Sequence, residues 1–319
     1  MAGVSQSAVS RCFRTGTSVA PDTRARILAA AEALGYRPNA IAQGLINRRS
    51  NLVAVVISNL TNLYYPEVLA ELSARLSERG VRVLLFALSG EGEVDGVLEQ
   101  LFRYQVDGAI VAARLSPAQL AQFERARVPL VLYNRSTDAA AVASVSCTFA
   151  EGETLLVDGL VAGGARGFAI VAGPADSSVG EARVRGAVER LAAAGIADVP
   201  VERGDFSYES GYAATVRLLT AGPRDAIIAA NDTMALGAMD AARLGFALDV
   251  PGEVSVVGFD GVAPAGWRSY ALTTVRQPVR RMTEAAVTML LERVADPELA
   301  PERRWFSGDL VRGRTARLG

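Results

Sequence analysis

From Leu52 onward, apolar blocks of strand length alternate with stretches of helical periodicity, and no other feature restricts the fold so tightly. The first set is LVAVVI at 52–57, VRVLLFAL, GAIVAA and VPLVLYN, with a helix expected over roughly 66–79 after the first block. A second set follows: GFAIVAG, the region around PVERGDF, AIIAAN and VSVVGFD. Repeated strand, helix, strand units require right-handed crossovers and a parallel sheet buried on both faces. Two sets predict two similar α/β lobes with no low-complexity linker between them. In such sheets ligands bind beyond the carboxyl ends of the strands, so the residues that follow each strand are the informative ones.

The first 50 residues obey a different pattern. In AGVSQSAVSRCF, Gly3 stands where a helix-turn-helix needs positive φ, and Ser5 can cap a helix that begins at Gln6. A second helix is predicted from about Pro21 to Leu34, with Pro21 in its first turn and Gly35 at its end. Ile27, Leu28, Ala31 and Leu34 recur at helical spacing and should form the apolar face that packs this head. A Tyr-Arg-Pro-Asn turn at 36–39 leads into a short helical segment, AIAQGLINRRS.

Composition then removes whole classes of chemistry. All 33 basic residues are arginine, and histidine is absent. Without lysine there is no Schiff base and no Walker lysine; without histidine there is no Ser-His or Cys-His pair and no histidine-bound zinc. GEGEVDG at 90–96 has the outline of a dinucleotide loop, but the first βα unit lacks it and Glu91, Glu93 and Asp95 would repel a pyrophosphate. Glu151 and Glu153 read as a helix start, not an acid/base pair. No enzyme, cofactor or metal is expected. Cys12 and Cys147 fall in different predicted domains, so a disulfide is not expected and a reducing compartment fits. Neither a membrane span nor a leader pattern is present, which predicts a cytoplasmic protein. Residues 1–50 hold seven arginines against Asp22 and Glu32, a net +5, leaving about −6 on the remainder. That asymmetry is the footprint of a chain whose head alone touches phosphate.

Five motifs in order, AGVSQSAVSR, GYRPNAIAQGL, NDTMALGAMDA, VSVVGFD and LTTVRQP, give the chain a resemblance to the LacI/GalR family of bacterial transcription regulators over essentially its whole length. The resemblance implies a helix-turn-helix head over 1–38, a hinge helix and linker over 39–50, and a two-lobed periplasmic-binding-protein-like effector domain over 51–319. The N-lobe would take about 51–146 plus a later return segment, and the C-lobe about 147–273 plus a C-terminal segment. It also implies a homodimer on palindromic double-stranded operator DNA, acting as a repressor under control of a small carbohydrate effector. A sugar-binding protein without DNA function is the rival reading.

On this resemblance Ser5, Gln6, Ser7 and Arg11 form the recognition helix, whose Arg and Gln suit guanine and adenine edges. Asn39, Ala42 and Leu45 form the hinge, with Leu45 as the wedge between base pairs. Gly44 departs from the family and weakens that helix. The family also carries one more helix before the Ala-Gly-Val-Ser turn, so translation from upstream of Met1 is expected. Tyr64, Tyr65, Asn134, Arg135, Arg183, Phe206, Asn231 and Asp260 match effector-cleft positions, a set suited to a polyol: aromatic faces for the apolar side of a sugar, amides and charges for its hydroxyls. Asn134 and Gly261 stand where many relatives carry aspartate. A purine effector is less favoured. No leucine heptads follow the helix expected at 279–294, so no tetramer is expected.

Overall fold

The run Leu52–Ser58 is buried along nearly its whole length, and its side chains feed two different cores: Val53, Val55 and Ile57 to one side, Ala54 and Val56 to the other. Only a strand covered on both faces distributes its residues in this way. The computed structural model describes residues 2–13, 18–36, 49–60, 62–88, 93–135, 137 and 142–319. They fall into two units, residues 1–51 and residues 52–319.

In the smaller unit, helices α1 (Gln6–Cys12) and α2 (Pro21–Ala33) pack together through buried Cys12, Ile27 and Ala31. Ser5 caps α1, its hydroxyl accepting from the Ala8 amide at 3.3 Å, and Gly3 takes φ +62°. Leu28 and Leu34, expected in the packed face, remain 43% and 61% exposed. The physical reason is coverage: among the described residues α1 is two turns long and shields a single side of α2. The hinge residues Asn39, Ala42 and Leu45 and part of the glycine-rich run, residues 90–92, lie outside the described residues.

The larger unit holds β1 (Leu52–Ser58), α3 (Tyr64–Glu78), β2 (Arg82–Leu88), α4 (Val94–Arg103), β3 (Gly108–Ala112), α5 (Pro117–Ala126), β4 (Leu130–Tyr133) and β5 (Ala143–Cys147). It continues with α6 (Phe149–Ala162), β6 (Phe168–Ala172), α7 (Ser178–Ala193), β7 (Val201–Arg203), α8 (Tyr208–Thr220), β8 (Ala226–Ala229), α9 (Asp232–Asp240) and β9 (Ser255–Asp260). Last come β10 (Thr273–Arg276), α10 (Val279–Ala295), β11 (Arg303–Phe306) and β12 (Asp309–Val311).

The strands make two six-stranded sheets, ordered β11-β5-β4-β3-β1-β2 and β12-β10-β9-β8-β6-β7. Pairing is parallel throughout except for the edge strand β12, which runs antiparallel to β10. The chain passes between the sheets three times, after β5, after β10 and after β11. Helix α10 therefore packs on the first lobe, where the absent side chain of Gly108 leaves room for Leu290. The strand ends of both lobes face one cleft.

Candidate functional site

Where β1 and β4 end, Asn59 and Asn134 take φ +56° and +51°, a conformation asparagine tolerates better than most residues. The turn aims Asn134 into the cleft. Its Oδ1 accepts from the Cys147 amide at 2.9 Å, which fixes the carboxamide so that Nδ2 donates to Gln277 Oε1 at 2.8 Å and to the Tyr64 hydroxyl at 3.2 Å. Tyr64 continues to Tyr133 at 3.2 Å, and burial raises both phenols, which stay neutral.

On the opposite lobe, Gly186 lets α7 approach α6 so closely that an added Cβ would stand 3.1 Å from Ala150 Cα. One turn earlier, that approach seats Arg183 between the rings of Phe259 and Phe149, at 4.2 and 5.0 Å from their centroids. The guanidinium donates to Asp260 Oδ1 at 2.6 Å and to the Ala230 carbonyl at 2.5 Å, with both side chains 3% exposed or less. Gln277 Nε2 donates to the same Asp260 oxygen at 2.7 Å. Burial pushes the Asp260 carboxyl up, while Arg183 and Gln277 pull it down. Asp260 also holds φ +125°, a strained value for a residue with a side chain.

A chain of hydrogen bonds thus runs from one lobe to the other: Tyr133, Tyr64, Asn134, Gln277, Asp260, Arg183. Arg135 sits beside it, donating to Ser58 Oγ at 3.0 Å and toward the Tyr65 hydroxyl at 3.4 Å. Tyr64, Tyr65, Asn134, Arg135, Arg183, Phe206 and Asp260 line one cavity of about 20 Å³, room for about one water. Phe206 takes φ +70° and presses its ring on Gly173 and Gly180, where no side chain intervenes. Asn231 does not join them. It caps α9, accepting from the Met234 amide at 2.9 Å, and donates to the Phe206 carbonyl at 3.2 Å, so it supports a lining residue from behind.

Five lining residues escaped the sequence reading: Asn59, Asn62, Ser177, Val179 and Gln277. Gln277 was within reach, since it follows β10 directly and strand ends are where ligands bind. Asn62 and Ser177 lie in loops without a spacing signal. Cys147 borders the cleft, but burial pushes its thiol up to about 12, so it is no nucleophile.

In the smaller unit, Ser5, Gln6, Ser7 and Arg11 are all exposed. Ser5 and Ser7 share a hydroxyl contact at 2.9 Å, and Arg11 Nε reaches back to the Ser7 carbonyl at 3.4 Å. Among the described residues no helix is long and apolar enough to cross a membrane, and no cluster of ligating side chains could hold a metal.

Two α/β lobes crossed three times by the chain, a polar cleft at their strand ends, and a helical head with a polar exposed first helix define a ligand-responsive DNA-binding regulator. Residues 1–39 match the model for bacterial regulatory proteins of the lacI family, and residues 157–316 match the periplasmic binding protein-like domain. The regulator CelR of Thermobifida fusca is 32% identical over 95% of this chain and 92% of its own. The lactose operon repressor of Escherichia coli is 31% identical over 91% and 82%. The lac repressor dimer bound to operator and the anti-inducer ONPF superposes with a TM-score of 0.88 at 29% identity, covering 98% of this chain and 96% of that one. A CelR–cellobiose complex gives 0.75 at 31%, covering 99% and 97%. The chain belongs to the LacI family, and like its relatives it is a transcriptional regulator rather than an enzyme.

Proposed function

We propose that this chain is a cytoplasmic, homodimeric repressor that binds a palindromic operator and is controlled by a sugar or sugar derivative in the cleft between its lobes. The observation that carries the reading is the buried polar chain from Tyr64 to Arg183, with Phe206 beside it: hydroxyl-matching amides and charges around an aromatic face. Such groups exchange their mutual hydrogen bonds for those of a polyol when the lobes part. Gln6, Ser7 and Arg11 read the bases of each half-site, and Asn39, Ala42 and Leu45 order in the minor groove at its centre. Ligand couples to DNA by favouring one lobe arrangement over the other, which changes whether the hinge can order.

The test is fluorescence anisotropy of the full chain on palindromic DNA from its own upstream region, over a salt series and a panel of neutral sugars. Sequence-specific binding should fall steeply with salt, and Arg11→Ala should weaken it by about 1–3 kcal/mol. A sugar should shift the binding curve of the parent chain but not of Asp260→Asn, with Tyr65→Phe as a milder variant. Binding that ignores DNA sequence, or a curve that no sugar moves, would sink the proposal.

A further inference from the structure

A second cavity, of about 400 Å³, adjoins the closed one and shares Asn134 and Val179 with it. Small-ligand pockets usually measure about 300–1,000 Å³, so this outer chamber is already of ligand size while the inner one holds no more than a water. Its wall on the first lobe includes Trp305, on the edge strand β11 opposite Ser146, with 53% of its surface exposed. The indole makes no ring contact among the described residues and lies outside both cores, whereas its neighbour Phe306 packs against one. A flat, half-exposed aromatic beside a largely apolar chamber that also carries Glu151, Glu189 and Arg185 matches the apolar face and hydroxyl rim of a pyranose ring.

The chamber's charge narrows the occupant. Hydroxyls of Ser307 and Thr148, each 2.7 Å away, hold the Glu151 carboxyl below the usual glutamate range, so it is ionised at neutral pH. Glu189 adds a second carboxylate, only loosely paired with Arg185 at 3.9 Å. Two carboxylates against one guanidinium repel a phosphate or a uronate and accept hydrogen bonds from hydroxyls.

We propose that the ligand is a neutral glycoside of at least two rings. One ring enters the inner site and the second lies on Trp305 in the outer chamber, its hydroxyls toward Glu189 and Glu151. This inference rests on the sugar reading above and narrows it to a size and charge class. The inner ring must separate groups that now bond one another; the outer ring meets a chamber already formed.

The experiment is calorimetry on the full chain with glucose and galactose set against cellobiose, maltose, lactose and melibiose, plus glucose 6-phosphate. At least one disaccharide should bind about tenfold tighter than its own monosaccharide, the scale of one aromatic contact. Trp305→Ala should erase that difference while leaving the monosaccharide affinity unchanged, and Glu189→Gln should weaken only the disaccharide. In Trp267→Phe, which leaves Trp305 as the sole tryptophan, disaccharide should change the fluorescence and monosaccharide should not. Monosaccharide binding with no disaccharide preference, a Trp305→Ala loss equal for both, or tighter binding of the phosphate overturns this inference and leaves the sugar reading intact. A folded chain that binds no sugar overturns both.

Discussion

At the scale of single residues, the cleft depends on which atoms are donors. Gln277 must present its oxygen to Asn134 because its amide nitrogen is committed to Asp260. An aspartate at 134 would set oxygen against oxygen in this arrangement. Asn134→Asp, nearly isosteric, should therefore cost about 1–3 kcal/mol by chemical denaturation, the range for a buried polar group left unsatisfied. Glu153 offers a pH test. It is buried on α6 with Oε2 unpartnered, and burial pushes its carboxyl up to about 8 despite the pull of Arg183. From the ordinary glutamate range to about 8, the folded chain keeps a proton that the unfolded chain has released, so stability falls as pH rises through that window. Glu153→Gln should remove this slope, raising Tm more at about pH 8 than at about pH 5; an equal change at both would refute the assignment. Asp260 was legible because it ends the VSVVGFD motif, and Arg183 because the resemblance to the family placed it at a cleft position. Glu153 was legible only as a helical residue, since nothing in a spacing reveals which face of α6 is covered.

At the scale of elements, glycine decides how close two helices lie. The Arg-x-x-Gly pattern of α7 works through geometry: Gly186 brings the helix against Ala150, and the arginine one turn before it arrives between two rings. Gly186→Val should overpack that contact at about 1–3 kcal/mol and weaken sugar binding more than Gly186→Ala does, both readable by thermal melts and titration. The alternation of apolar blocks marked β1 to β4, β6, β8 and β9, and placed β7 in its region, but it missed β5, β10, β11 and β12, whose short runs carry serine, threonine, arginine or aspartate and make no apolar block. Alternation could not announce that β12 runs antiparallel, since three residues at a sheet edge carry no pattern of direction. The head was less readable. Helical spacing marked Ile27, Leu28, Ala31 and Leu34 alike, yet burial belongs to whichever of them a neighbour reaches, and α1 reaches Ile27 and Ala31.

At the scale of the molecule, the lobes are tied by the hydrogen-bond chain inside the cleft and by Arg276 outside it, which bonds Glu67 on α3 at 3.0 Å and the Gly261 carbonyl at 3.1 Å. The exposed pair should contribute about 1 kcal/mol or less, so the buried chain dominates closure. Gln277→Ala should then speed hydrogen exchange at the three crossovers while β1 and β6 keep their protection; a uniform change would instead mean general destabilisation. Those crossovers also order events in time. Because β11 and β12 complete both sheets, a growing polypeptide carries β5 and β10 with a bare edge each until residues 303–311 have emerged from the ribosome. Bare strand edges recruit other chains. A premature stop before residue 303 should therefore yield not a smaller receptor but two open sheets, prone to collect in inclusion bodies.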